Sequence, residues 1–132
     1  MFKRLIGFSL ILLCFWVCEV NAQSSEIRRI NEMYSFAVVG INKCADPDKA
    51  MPIFNEMLSY QETQFPNTFN GFCGAYDNGS AGCVILHKSR KTFDAIQEWQ
   101  ANDDKWLEFA SQAWDYCEID NFAFKQERLE RK

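Results

Sequence analysis

The stretch Phe72 to Cys83, FCGAYDNGSAGC, holds two cysteines ten positions apart with Asn78-Gly79 between them. Two readings compete for it. Asn-Gly is a turn signal that favours a β-hairpin, and Val84-Ile85-Leu86 beyond it would suit a strand. Against a strand stand Gly71 and Gly74, which pack nothing across a sheet. For a helix, Phe69, Phe72, Cys73 and Tyr76 recur at steps of three and four, and Lys88 to Trp99 continues with helical spacing. The helical reading is taken: a short helix over about 67–76, a turn at Asn78-Gly79, and a long helix over about 80–99. In either hairpin Cys73 and Cys83 face one another, so a Cys73–Cys83 bridge is the simplest pairing, which leaves Cys44 with Cys117. The two other connectivities stay geometrically open.

Working outward, the same periodicity marks three more helices. Ile27, Ile30, Tyr34, Ala37, Val38 and Ile41 form one face of a helix over about 25–43. Asp46-Pro47 is a capping carboxylate followed by proline at the first helical position, and it starts a helix over about 47–63 whose face carries Phe54, Met57, Leu58 and Gln61. Asn102 caps a last helix, Asp103 and Asp104 complement its dipole, and Trp106, Phe109, Ala110, Ala113, Trp114 and Cys117 make its apolar stripe. The fold expected is all-α: four long helices and one short one in an antiparallel bundle, stapled by two disulfides.

The ends are not part of that bundle. Met1 to Arg4 is basic, Leu5 to Cys18 is apolar, and Val20-Asn21-Ala22 resembles a small-residue cleavage site. Residues 1–22 thus read as a secretory signal, with a mature chain from Gln23. Residues 23–121 form the single helical domain expected, and residues 122–132 a charged tail. Removal of the signal leaves 12 basic and 17 acidic residues. That acidity argues against nucleic acid and against anionic membrane surfaces as partners. Four cysteines in a small exported chain read as a disulfide framework and place the protein outside the cell, or in a periplasm. No second apolar run is long enough to span a membrane, so no membrane insertion is expected after cleavage.

The signals for chemistry are weak. Asn78-Gly79-Ser80-Ala81-Gly82 misses the nucleophile-elbow pattern at its first position. His87, the one histidine of the chain, reads as a surface or edge residue. The carboxylate pairs Asp46/Asp48 and Asp103/Asp104 read as helix N-terminal acids. No metal site, catalytic residue or cofactor is expected. Asn78-Gly79-Ser80 is an N-glycosylation acceptor sequence, with Asn78 the candidate site.

The expectation for function is therefore a secreted, non-enzymatic protein that binds another protein, as a signal, effector or inhibitor. Trp114, Tyr116, Phe122 and Phe124 are its candidate contact residues, since exposed aromatics anchor such interfaces. The alternative is an extracellular carrier of a small apolar ligand, with a pocket lined by residues such as Phe54, Met57, Phe93 and Trp106. A small hydrolase comes third.

Overall fold

The computed structural model describes residues 26–118 and 125–132. The chain divides into two units, Met1–Met33 and Tyr34–Lys132. The described part of the first is a short helix, α1 (26–33), with an Arg28–Glu32 ion pair along its side. The expected signal segment, residues 1–22, lies outside the described residues, as do Phe122 and Phe124.

The second unit is not a helical bundle. It is built around a five-stranded antiparallel sheet, in the order β1 (Phe36–Gly40), β2 (Asn42–Lys43), α2 (Pro47–Gln64), β3 (Phe69–Ala75), β4 (Ser80–His87), α3 (Arg90–Gln100), α4 (Asp104–Trp114) and β5 (Gln126–Glu130). β1 lies between β4 and β5, while β3 and the short β2 both pair with β4. Apart from β2, and with the two helices α3 and α4 in place of the second helix, this is the split β-α-β-β-α-β arrangement.

The expected all-α fold is corrected at three places. The helix expected over 25–43 ends at residue 33, and Phe36–Gly40 is a strand. Val38-Val39 suits a pleated surface better than a helix, because two substituents on Cβ restrict the side chain against the preceding helical turn. The short helix over 67–76 is the strand β3, and the helix over 80–99 is β4 followed by α3. Ser89 separates the last two: its hydroxyl accepts from the N–H of Thr92 and caps α3. The charged residues after Lys125 form the edge strand β5, held by main-chain pairing to β1. Charge on both faces of an edge strand discourages pairing with another chain.

The β-hairpin reading of the opening stretch is the one the structure takes. Tyr76 and Ser80 are joined across the turn, Asn78 Oδ1 accepts from the N–H of Ser80, and Gly79 has φ of +80°. That left-handed conformation suits glycine. Gly71, an argument against a strand, is required by this one: a Cβ there would lie 2.4 Å from Val84 O and 2.9 Å from Ile85 Cα.

The register sorts the side chains. Phe36, Val38, Phe69, Cys73, Cys83, Ile85 and His87 share the face covered by helices. Ala37, Val39, Phe72, Val84, Leu86 and Leu129 share the other, on which Phe72 is 68% and Leu129 72% exposed. On the covered side α2 packs against α4 through Ala50, Ala110 and Ala113, small enough to bring the two helices close, with Phe54 and Met57 beneath. A second core joins Phe36, Val38 and Phe93. Cys44 is bridged to Cys117, and Cys73 to Cys83, its direct partner across the β3–β4 ladder.

Candidate functional site

A cavity of about 90 Å³, open to solvent, lies between α2 and the covered face of the sheet. Its apolar wall follows from the periodicities of the elements that meet there. α2 presents Phe54, Met57, Leu58 and Gln61, at helical steps of three and four. Val38 of β1 and Ile85 of β4, directly paired, project from the sheet, and Cys83 with its disulfide lies beside them. Trp106 of α4 closes the wall. Its backbone N–H donates to Asp103 Oδ1 at 2.8 Å, so the N-cap of α4 fixes the start of the helix that carries it.

The polar part of the lining is organised. Gln61 sits in the buried stripe of α2 and is 2% exposed. Its Oε1 accepts from Gln100 Nε2 at 2.6 Å, and Gln100 Oε1 in turn accepts from Gln97 Nε2. Gln61 Nε2 has no partner among the described residues. Asn42, also buried, accepts the backbone N–H of Lys125 on its Oδ1 at 2.9 Å and so ties the start of β5 to the sheet. Lys125 Nζ is 3.2 Å from Glu118 Oε1. Glu118 accepts also from the N–H of Lys43, at 2.8 Å, and its φ of +51° turns the chain out of the Cys117 bridge. Among the described lining residues Lys125 is the one ionisable side chain.

Of the four pocket residues expected from sequence, Phe54, Met57 and Trp106 come together in this cavity. Phe93 lies apart, in the core with Phe36 and Val38. Of the expected partner contacts, Trp114 and Tyr116 are half-buried and packed against the main core. Asn78 is exposed at the hairpin turn. The residues that sequence reading missed are the amides Gln61 and Gln100. A glutamine in the apolar stripe of a helix was the available signal.

His87 is not at the surface. It is 2% exposed and surrounded by Phe36, Phe69 and Phe93, with ring centroids 6.3, 6.0 and 5.3 Å away. Its Nδ1 has no hydrogen-bond partner among the described residues. Burial pushes its pKa down to about 4, so the ring is neutral at pH 7. No group of three or more His, Cys, Asp or Glu among the described residues could hold a metal ion. No described helix is long and apolar enough to cross a membrane. The two disulfides are compatible with an extracellular location.

No family model and no curated protein matches the sequence. Solved structures do match the fold. SnoaB, a cofactor-independent oxygenase from Streptomyces nogalater, is similar over 75% of this chain and 94% of its own, with a TM-score of 0.57 and 10% identity. A conserved protein from Methanosarcina mazei is similar over 76% and 96%, with a TM-score of 0.58 and 11% identity. An uncharacterized NIPSNAP domain protein from Burkholderia xenovorans is similar over 74% and 94%, with a TM-score of 0.56 and 16% identity. At these identities the likeness is one of fold alone, and it agrees with the mixed α and β architecture.

Proposed function

We propose that the protein is an exported carrier of a small apolar molecule, held in the cavity between α2 and the sheet. The observation that carries this reading is the cavity itself: an apolar wall of Phe54, Met57, Ile85 and Trp106 with one buried amide at its side. Ligand sites in proteins have this composition, mostly apolar with a few placed polar groups. The disulfide at Cys83 stiffens the sheet side of the wall and suits a chain that works outside the cell.

A neighbour in fold is a cofactor-independent oxygenase. Among the described lining residues, proton abstraction would fall to Lys125, whose ammonium is paired with Glu118 and is a poor base in that state. Binding without turnover therefore fits the lining better than catalysis. A second reading, contact with a protein partner, is favoured by a different feature: on the open face of the sheet Phe72 stands exposed beside Val84, and Leu129 stands exposed beside Ala37. Exposed apolar residues gathered on one face are a common mark of an interface.

Mass spectrometry of the protein secreted by its own host, native and then denatured without reduction, tests the carrier reading. A native mass that falls by a few hundred daltons or less on denaturation is the expected result. Equal masses overturn it. The denatured mass should equal that of the chain from Gln23 less four hydrogens.

A further inference from the structure

The edge strand β3 is open to pairing in a way that the charged edge strand β5 is not. Its register shows which main-chain groups face outward. The carbonyl of Thr68 accepts from the N–H of Lys88, and the carbonyl of Ser80 accepts from the N–H of Tyr76, so the even-numbered residues of this segment bond to β4. Bonded and non-bonded pairs alternate in an antiparallel ladder. The N–H and C=O of Phe69, Gly71, Cys73 and Ala75 therefore point away from the sheet, and among the described residues no group pairs with them. β3 is seven residues long and carries neither a charge nor a proline, the usual devices that keep an edge from pairing. Gly74 is a second sign. Its φ is not positive, and a Cβ there would meet nothing within 4 Å, so nothing within the chain asks for glycine. Glycine weakens a strand, and in one it often marks the close approach of another backbone. Phe72, the middle residue of β3, lies on the same face and is 68% exposed.

We infer that β3 pairs antiparallel with β3 of a second copy of this chain, about a two-fold axis at Phe72, and joins the two sheets into one. The register set by that axis is what argues for a second copy. Phe69 falls opposite Ala75, Asn70 opposite Gly74 and Gly71 opposite Cys73, a larger side chain against a smaller one each time. Odd-numbered residues meet odd-numbered ones, so every outward-facing N–H and C=O finds its partner in the other copy. Phe72 meets Phe72 in the closely spaced, non-hydrogen-bonded kind of pair, where cross-strand aromatic contact is favourable. No two charges face each other along β3. A shift of two residues would set Phe72 against Asn70 or Gly74 and leave one end unpaired. This surface stands apart from the cavity, and neither reading rests on the other.

The test is the solution mass of the secreted chain, by sedimentation over a concentration series up to millimolar. It is measured for the wild type, for Phe72→Lys, for Phe72→Glu and for the two variants mixed. Position 72 is exposed, so both variants keep the fold. The wild type should rise with concentration to twice the mass of one chain. Each variant alone sets like charges opposite one another and loses the ring contact, so its dimer dissociation constant should increase about tenfold, and mixing the two should restore the dimer. Amide exchange of the wild type locates the contact: the Gly71, Cys73 and Ala75 N–H groups should slow as the dimer forms. A wild type that stays monomeric overturns the inference and leaves β3 to a strand of a different protein. A dimer that Phe72→Lys leaves intact, or in which those amides exchange as in the monomer, overturns it as well, because the contact then lies elsewhere. The wild-type exchange decides the matter even if a variant does not fold.

Discussion

Acid should unfold this protein earlier than a variant that lacks His87. The imidazole is enclosed by Phe36, Phe69 and Phe93, and burial lowers its pKa from 6.5 to about 4. Burial is the cause of the shift, since the ring loses the water that would solvate an imidazolium. Between pH 6.5 and 4 the unfolded chain therefore binds a proton that the folded chain refuses. Stability is unaffected by this group above pH 6.5, falls as the pH drops through that window, and has lost the full amount below about pH 4. A gap of about 2.5 pH units corresponds to about 3 kcal/mol. In a domain of this size that is a fall in Tm of roughly 10–20 °C. The assay is urea unfolding, or a thermal scan, at pH 7.5 and at pH 3.5, for the wild type and for His87→Leu. The carboxylates titrate in both proteins and cancel in the comparison. The variant loses some packing at every pH, which also cancels. Wild type should lose about 3 kcal/mol more than His87→Leu between the two pH values. Equal losses would refute the argument that a neutral, buried ring is what the aromatic cluster requires.

Other perturbations test the packing. Ile96→Ala should cost about 2–5 kcal/mol by chemical unfolding, because Ile96 is 1% exposed and a cavity would remain. Gly71→Ala would set a Cβ 2.4 Å from Val84 O, so amide exchange along β3 should accelerate well before that of α4. Replacing both Cys44 and Cys117 by serine should destabilise more than the same change at Cys73 and Cys83. The sequence separations are 73 and 10, and chain entropy gives about 4 and about 3 kcal/mol respectively.

What the sequence made legible, and what it hid, follows from particular residues. α2 was readable because Asp46 and Pro47 form a start signal: Asp46 Oδ1 accepts from the N–H of Lys49, and proline takes the first helical position. α4 was readable from its stripe, although its cap is Asp103 and not Asn102. The strands were hidden because both faces of the sheet carry apolar side chains, one against helices and one open. β1 and β4 thus show no clean alternation, and Ala37, Val38 and Ile41 fall by coincidence at helical steps. Ser89, overlooked, was the residue that divides 80–99 into a strand and a helix. β5 has no apolar pattern at all, and only main-chain pairing to β1 makes it a strand. Part of the cavity could be named in advance, since Phe54, Met57 and Trp106 are large and apolar. Its polar end could not, because the contact between Gln61 and Gln100 joins two helices that sequence periodicity does not place together.

The most direct test of the central claim is a titration of the protein with xenon, an apolar probe small enough for a cavity of about 90 Å³, followed through its methyl resonances. Shifts that saturate at Val38, Met57, Leu58 and Ile85, with Val39, Val84, Leu86 and Leu129 unmoved, are what a cavity between α2 and the covered face of the sheet predicts. Shifts confined to the second set, or none at saturating xenon, would contradict it.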